Sequence, residues 1–111
     1  MSCIFCKIIN KEVSSEVVYQ DEKVLAFKDI EPKAPVHILI VPKKHIPSVA
    51  HIELQDKELV GHLFFAAKNI AEEQGIVETG YRVLFNVGRD AGQTVDHLHL
   101  HLIGGEKLPW S

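Results

Sequence analysis

Apolar residues recur along this chain with two different periods, and the points where one gives way to the other divide it into elements. Ile4, Phe5, Ile8 and Ile9 keep helical spacing and stop at the polar pair Asn10-Lys11, which predicts a short helix. Two β-prone runs, 16–20 and 24–28, are joined by Asp21-Glu22-Lys23 as a hairpin. Glu31-Pro32-Lys33-Ala34-Pro35 breaks regular structure, and 37–41 is then aliphatic, β-branched and ended by Pro42, as in a buried strand. Over 53–74 the period becomes helical: Leu59, Val60, Leu63, Phe64, Ala67, Ile70 and Ala71 form one stripe, and Gly75 is placed to stop it. A further strand is predicted over 81–86, and the glycine-containing loop 88–93 leads into a last strand. There, His97, His99 and His101 alternate with Leu98, Leu100 and Leu102, so the pleat sends imidazoles to one face and leucines to the other.

About five strands interrupted by one long and one short helix predict an α+β domain over 1–111 with a mainly antiparallel sheet. One long helix covers only one side of such a sheet. The other face or an edge strand wants a partner, and a symmetric dimer supplies it most simply.

Composition narrows the functional classes. The 111 residues carry a formal net charge of −3, which argues against an electrostatic nucleic-acid binder or adhesion to an anionic membrane. No apolar stretch approaches the roughly 20 residues of a spanning helix. The start lacks a basic leader with an apolar run behind it, so a cytoplasmic protein is expected.

Neighbours in the histidine row are expected about 7 Å apart, the reach of a phosphate group or of a metal with its ligands. Phosphoryl chemistry suits the row, since it needs positioning and donors to phosphate oxygens more than strong acids. Asn86, Gln93, Thr94 and the amides around Gly92 supply donors, and glycine permits close backbone approach. His99 has a histidine on each side and is the natural nucleophile; His101 reaches the same phosphate, and His37 on another strand can orient one of them. Asp29, followed by Ile30, can accept from a ribose hydroxyl or be an ordinary turn aspartate. Cys3 and Cys6 form a Cys-x-x-Cys pair outside any βαβ unit. With His45 and His97 they can complete a tetrahedral Cys2His2 zinc set, or they can be two buried, inert thiols. His51 and His62 are read as solvated, and Lys43, Lys44 and Arg89 are given no part in the site.

The run His97-Leu98-His99-Leu100-His101-Leu102-Ile103 resembles the His-x-His-x-His-x-x motif of the histidine triad family. Phe27-Lys28-Asp29-Ile30, the stretch from Ala34 to Ile46, Gly92-Gln93-Thr94-Val95 and Gly104-Gly105 are similar to the family's other segments in the same order. Gly-Gly after the triad and Trp110 near the end are similar to its nucleotide-binding branch rather than to the dinucleoside polyphosphate hydrolases.

The resemblance implies a dimer with one continuous sheet and a purine nucleotide site, without an organic cofactor. It implies hydrolysis of nucleoside 5′-phosphoramidates through a nucleotidyl-histidine. It also implies a role for each matched residue. His99 attacks the α-phosphorus and His101 binds the phosphate. The carbonyl of residue 97 and the His37 imidazole hold the reactive tautomer of His99, and Thr94 stands by the leaving group. Asp29 and Ile30 hold ribose and base, with Asn86 near the phosphate. Cys3, Cys6, His45 and His97 hold structural zinc. Dinucleoside polyphosphate hydrolysis or transfer, and nucleotide binding without catalysis, are the competing functions. Two departures from the family pattern stand out: Asp96 where an apolar residue is usual, and an end at Ser111 just after Trp110.

Overall fold

The computed structural model describes residues 3–110. Along them run α1 (Ile4–Ile9), β1 (Val17–Gln20), β2 (Val24–Lys28), β3 (Val36–Pro42), α2 (Lys57–Glu73), β4 (Tyr81–Leu84) and β5 (Leu100–Gly104). All pairings are antiparallel, in the order β1-β2-β3-β5-β4, so β1 and β4 are the edges. The expected α+β architecture, with five strands, one long and one short helix, is present.

Alternation along the strands sorts their side chains into two layers. Val24, Ala26, Ile38, Ile40, Leu100 and Leu102 lie under α2, which contributes Leu63, Ala66, Ala67, Ile70 and Ala71. The fully buried Leu and Ile side chains here contribute roughly 1.5–3 kcal/mol each, which makes this layer the main source of stability. A smaller layer of Leu25, Phe27, Leu39 and Val41 packs on the opposite face against Phe5 of α1. Register decides where the chemistry goes: Leu39 pairs with His101 and Ile38 with Leu102, so the histidines share the α1 face and the leucines the α2 face.

The histidine strand is shorter than its alternation predicts. Only Leu100–Gly104 joins the ladder, the last β3 pair being Ile40 with Leu100. Beyond that pair the Leu98 amide bonds the Ile46 carbonyl at 2.6 Å instead, and Pro42, which ends β3, has no N–H to offer. The segment from His97 to His99 therefore runs as an irregular extended lead into β5. β4 likewise stops at Leu84, two residues before the predicted end.

The long helix begins later than predicted. Leu54–Asp56 is a 3-10 turn, in which buried Asp56 takes the Glu53 amide at 3.0 Å and Lys44 Nζ at 2.6 Å. The buried stripe is also rotated: Ala66 belongs to it, while Phe64 and its neighbour Phe65 are exposed. His62 is not simply solvated. Its Nε2 lies 2.7 Å from Asp21 Oδ2, which also takes the Tyr19 hydroxyl at 2.6 Å, while Asp21 Oδ1 takes the amides of Lys23 and Val24. This carboxylate closes the β1–β2 turn and ties it to α2. His51 Nδ1 meets Ser48 Oγ at 2.8 Å. After β5, Gly105 turns with φ +96°, and a Cβ there would stand 3.0 Å from Pro35 Cβ, so glycine is required for the chain to pass the loop before β3.

Candidate active site and metal centre

Four imidazoles meet on the α1 face; three have a ring nitrogen against a backbone group whose hydrogen-bonding role is fixed, which sets their tautomers, and the fourth takes its tautomer from one of these. His99 Nδ1 donates to the His97 carbonyl at 2.7 Å, so its Nε2 keeps a lone pair. His97 Nε2 donates to the Pro42 carbonyl at 2.8 Å, so its Nδ1 lone pair turns toward Cys3 and Cys6. The Lys33 amide donates to His37 Nδ1 at 3.0 Å, which leaves the His37 proton on Nε2. That nitrogen lies 2.9 Å from His101 Nδ1 and donates to it. His101 must then carry its own proton on Nε2, an atom that is buried and without a partner among the described residues. A lone pair on His99 and an N–H on His101 thus stand side by side, with ring centroids 5.0 Å apart.

His37 therefore orients His101. His99 takes its tautomer from the backbone carbonyl alone, so the expected contribution of His37 to His99 passes to its neighbour. Asp29 joins this relay: its amide bonds the His37 carbonyl at 3.0 Å and its Oδ2 lies 3.4 Å from His37 Nε2. The row is also drier and tighter than an open polar face. His97 is fully buried, and His37 and His99 nearly so.

Burial favours the neutral ring at His37 and His101. It pushes His37 below the usual histidine value, and it brings His101 down to about 4, helped by His99 and His37 beside it. The unfolded chain titrates near 6.5 and so binds more protons than the folded one in the window below that value. Folding stability is therefore expected to fall as the pH drops from about 6.5 through about 4. Melting temperatures taken across that window check this, and His101→Gln should flatten the dependence; an unchanged slope would contradict the burial argument.

Cys3, Cys6, His45 and His97 form the second cluster, with all ligand atoms within 4.8 Å of one another. Cys3 Sγ and Cys6 Sγ lie 3.4 and 3.6 Å from His97 Nδ1, and Cys6 Sγ lies 3.3 Å from His45 Nδ1. A tetrahedral ion with ordinary zinc–sulfur and zinc–nitrogen bonds sets sulfur and nitrogen about 3.6 Å apart, close to these three separations. The His97 bond to Pro42 fixes the ligating tautomer, as outer partners of metal histidines do. The Cys6 amide points at Cys3 Sγ from 3.4 Å. The cluster can hold a metal ion. Asp96 is exposed.

On the α1 face opens a mainly apolar cavity of about 300 Å³, whose lining includes Phe5, Phe27 and Leu39 together with Asp29, Ile30 and Thr94. Ile30 is 92% exposed. Gly92 turns the adjoining loop in the left-handed region. Gln93 serves differently from expectation: its amide nitrogen bonds the carbonyls of Pro47 and Val95, and its oxygen takes the Gly88 amide. It braces the loop, and any contribution to a ligand passes through that brace. Asn86 lies two residues past the Leu84–His101 pair, the last of the β4–β5 ladder, and is partly buried. Phe5 was absent from the expected site; its ring touches His97, His99 and Phe27, which helical spacing alone does not reveal.

Antiparallel sheet, paired histidines and adjoining cavity define a small α+β protein with an imidazole lone pair and an imidazole N–H set side by side. Residues 10–108 match the HIT domain, and the chain belongs to that family. It is 48% identical over 105 residues to purine nucleoside phosphoramidase of Escherichia coli K12, covering 95% of this chain and 88% of that protein. Among solved structures, a histidine triad protein from Clostridium difficile superposes with a TM-score of 0.96 at 50% identity, over 100% of this chain and 96% of that one. A HIT family hydrolase from Legionella pneumophila gives a TM-score of 0.96 at 46% identity, over 98% and 97% of the two chains.

Proposed function

We propose that the protein is a hydrolase of purine nucleoside 5′-phosphoramidates, releasing a nucleoside monophosphate and an amine. One observation carries this reading: the His99 Nε2 lone pair and the His101 Nε2 proton are each set by a hydrogen bond at the other ring nitrogen, on neighbouring rings whose centroids are 5.0 Å apart. The likeness to the E. coli phosphoramidase over nearly the whole chain supports the substrate class.

His99 Nε2 attacks the α-phosphorus and the P–N bond breaks, the electron pair leaving with the amine nitrogen, which takes a proton from water. Exposed Thr94, at the mouth of the cavity, hydrogen-bonds the departing nitrogen. Water then attacks the nucleotidyl-His99, giving the monophosphate and the free imidazole. Throughout, the His101 N–H and the amides around Gly92 meet the phosphate oxygens, with Asn86 nearby, as preset donors that need no reorganisation. The relay from the Lys33 amide through His37 keeps that N–H on the correct side. Asp29 takes the ribose hydroxyls, and Ile30 closes over a purine seated in the apolar cavity.

Cys3, Cys6, His45 and His97 form a structural zinc site in this reading. A bound zinc ion supplies the charge that keeps both thiols ionised and ties the start of α1 to the loop after β3. Such thiols require a reducing compartment, which suits a cytoplasmic protein over 1–111 acting as one domain. A homodimer with a continuous sheet would cover the β4 edge and exposed Phe65 and Phe64, the latter 5.9 Å from Phe85 just past β4. Sedimentation that found only a 12.5 kDa species would remove the dimer.

Comparing adenosine 5′-phosphoramidate with diadenosine polyphosphates tests the substrate class. Faster release of adenosine monophosphate from the phosphoramidate is expected. Preference for the polyphosphate would assign the anhydride reaction, and tight nucleotide binding with no turnover of either would make it a binding protein.

A further inference from the structure

We propose that Phe5 is a positioning residue for His99, and that the metal cluster sets it in place. This rests on His99 being the nucleophile. Phe5 is 6% exposed and lies between the two centres: its ring is edge-on to metal-cluster His97 at 5.9 Å and 73°, and to His99 at 5.2 Å and 82°. Behind it, Phe27 meets the same ring at 5.4 Å. The bond to the His97 carbonyl fixes the His99 tautomer and holds the ring at one nitrogen, so the rest of the ring is held by what packs on it. Phe5 packs on it from α1, and His101 is its neighbour on β5.

What holds Phe5 comes from two sides. α1 has six residues, too few to be stable as an isolated helix, so its position comes from its anchors. One anchor is the packing of Phe5 itself on Leu25, Phe27, Leu39 and Val41, with Ile8 and Ile9 only partly buried beside it. The other is the metal cluster: Cys3 is the N-cap and Cys6 stands one turn on, both face His45 and His97, and Phe5 lies between them in sequence. An ion held by the four ligands would therefore fix Phe5, and through Phe5 the aim of His99, without meeting substrate.

The test uses Phe5→Leu, which keeps an apolar side chain of similar reach, and parent protein stripped of metal with a chelator. Both are followed by nitrogen-15 imidazole spectra and amide hydrogen exchange, neither of which needs turnover. Phe5→Leu should keep its full zinc content and lose about threefold to tenfold in kcat, the worth of one edge-on aromatic pair. Its His99 resonances should move while those of His37 hold. Stripping the metal should expose the α1 amides to exchange and move the same His99 resonances, with the β2, β3 and β5 amides still protected. Parental kcat and His99 resonances in Phe5→Leu would overturn the positioning role. Protected α1 amides and unmoved His99 resonances in the stripped protein would overturn the link to the metal. Should the parent lack phosphoramidase activity, the proposed function fails, while the resonances and exchange still decide whether Phe5 and the metal fix the His99 ring.

Discussion

His99→Ala is expected to hydrolyse adenosine 5′-phosphoramidate at least about 10⁴-fold more slowly than the parent, while binding adenosine monophosphate with little change. The loss is large because no other side chain can replace the lone pair. His101 and His37 each have Nδ1 engaged as an acceptor and Nε2 protonated, and His97 is fully buried with its free nitrogen facing two thiols. Binding survives because the apolar cavity, Asp29 and the His101 N–H remain. Steady-state rates and equilibrium binding on one preparation separate the two effects. A variant within tenfold of the parent rate would remove His99 from the chemistry.

Cys6→Ser is the second large effect, and it falls on stability. The substitution takes one of four ligands from a site that ties α1, the loop after β3 and the lead into β5 to one another. A metal present at a thousand times its dissociation constant stabilises a fold by about 4 kcal/mol. In a domain of this size that corresponds to a fall of about 10 °C or more in melting temperature. The variant should melt that much lower, hold no stoichiometric zinc, and lose its response to chelator. A melting temperature equal to the parent's, with the parent also indifferent to chelator, would show that the thiols are inert.

Features that depend on local period were legible in the sequence. The alternation of His97, His99 and His101 with leucines correctly gave two chemically distinct sheet faces, and the helical spacing of Ile4 to Ile9 gave α1. Features that depend on what packs opposite were not. His37 meets His101 across 64 positions of sequence, and Cys3 meets His97 across 94, so only the register and the placement of α1 bring these pairs together. Residue types suggested the metal quartet and the likeness to a known motif implied it as well, yet that likeness assigned His37 to His99, because it gives roles and not hydrogen bonds. Phe64 fits the apolar period of α2 but faces outward, since period does not report the width of the sheet beneath. Gln93 carries the right chemistry for a phosphate contact and is engaged by three backbone groups instead.

In the proposed reaction His99 attacks phosphorus and carries the nucleotide before water does. Stereochemistry at phosphorus tests it most directly, using a phosphoramidate made chiral there by sulfur substitution and hydrolysed in oxygen-18 water. Two successive in-line displacements predict net retention; net inversion would mean that water attacks the substrate itself, and would contradict the nucleotidyl-histidine account.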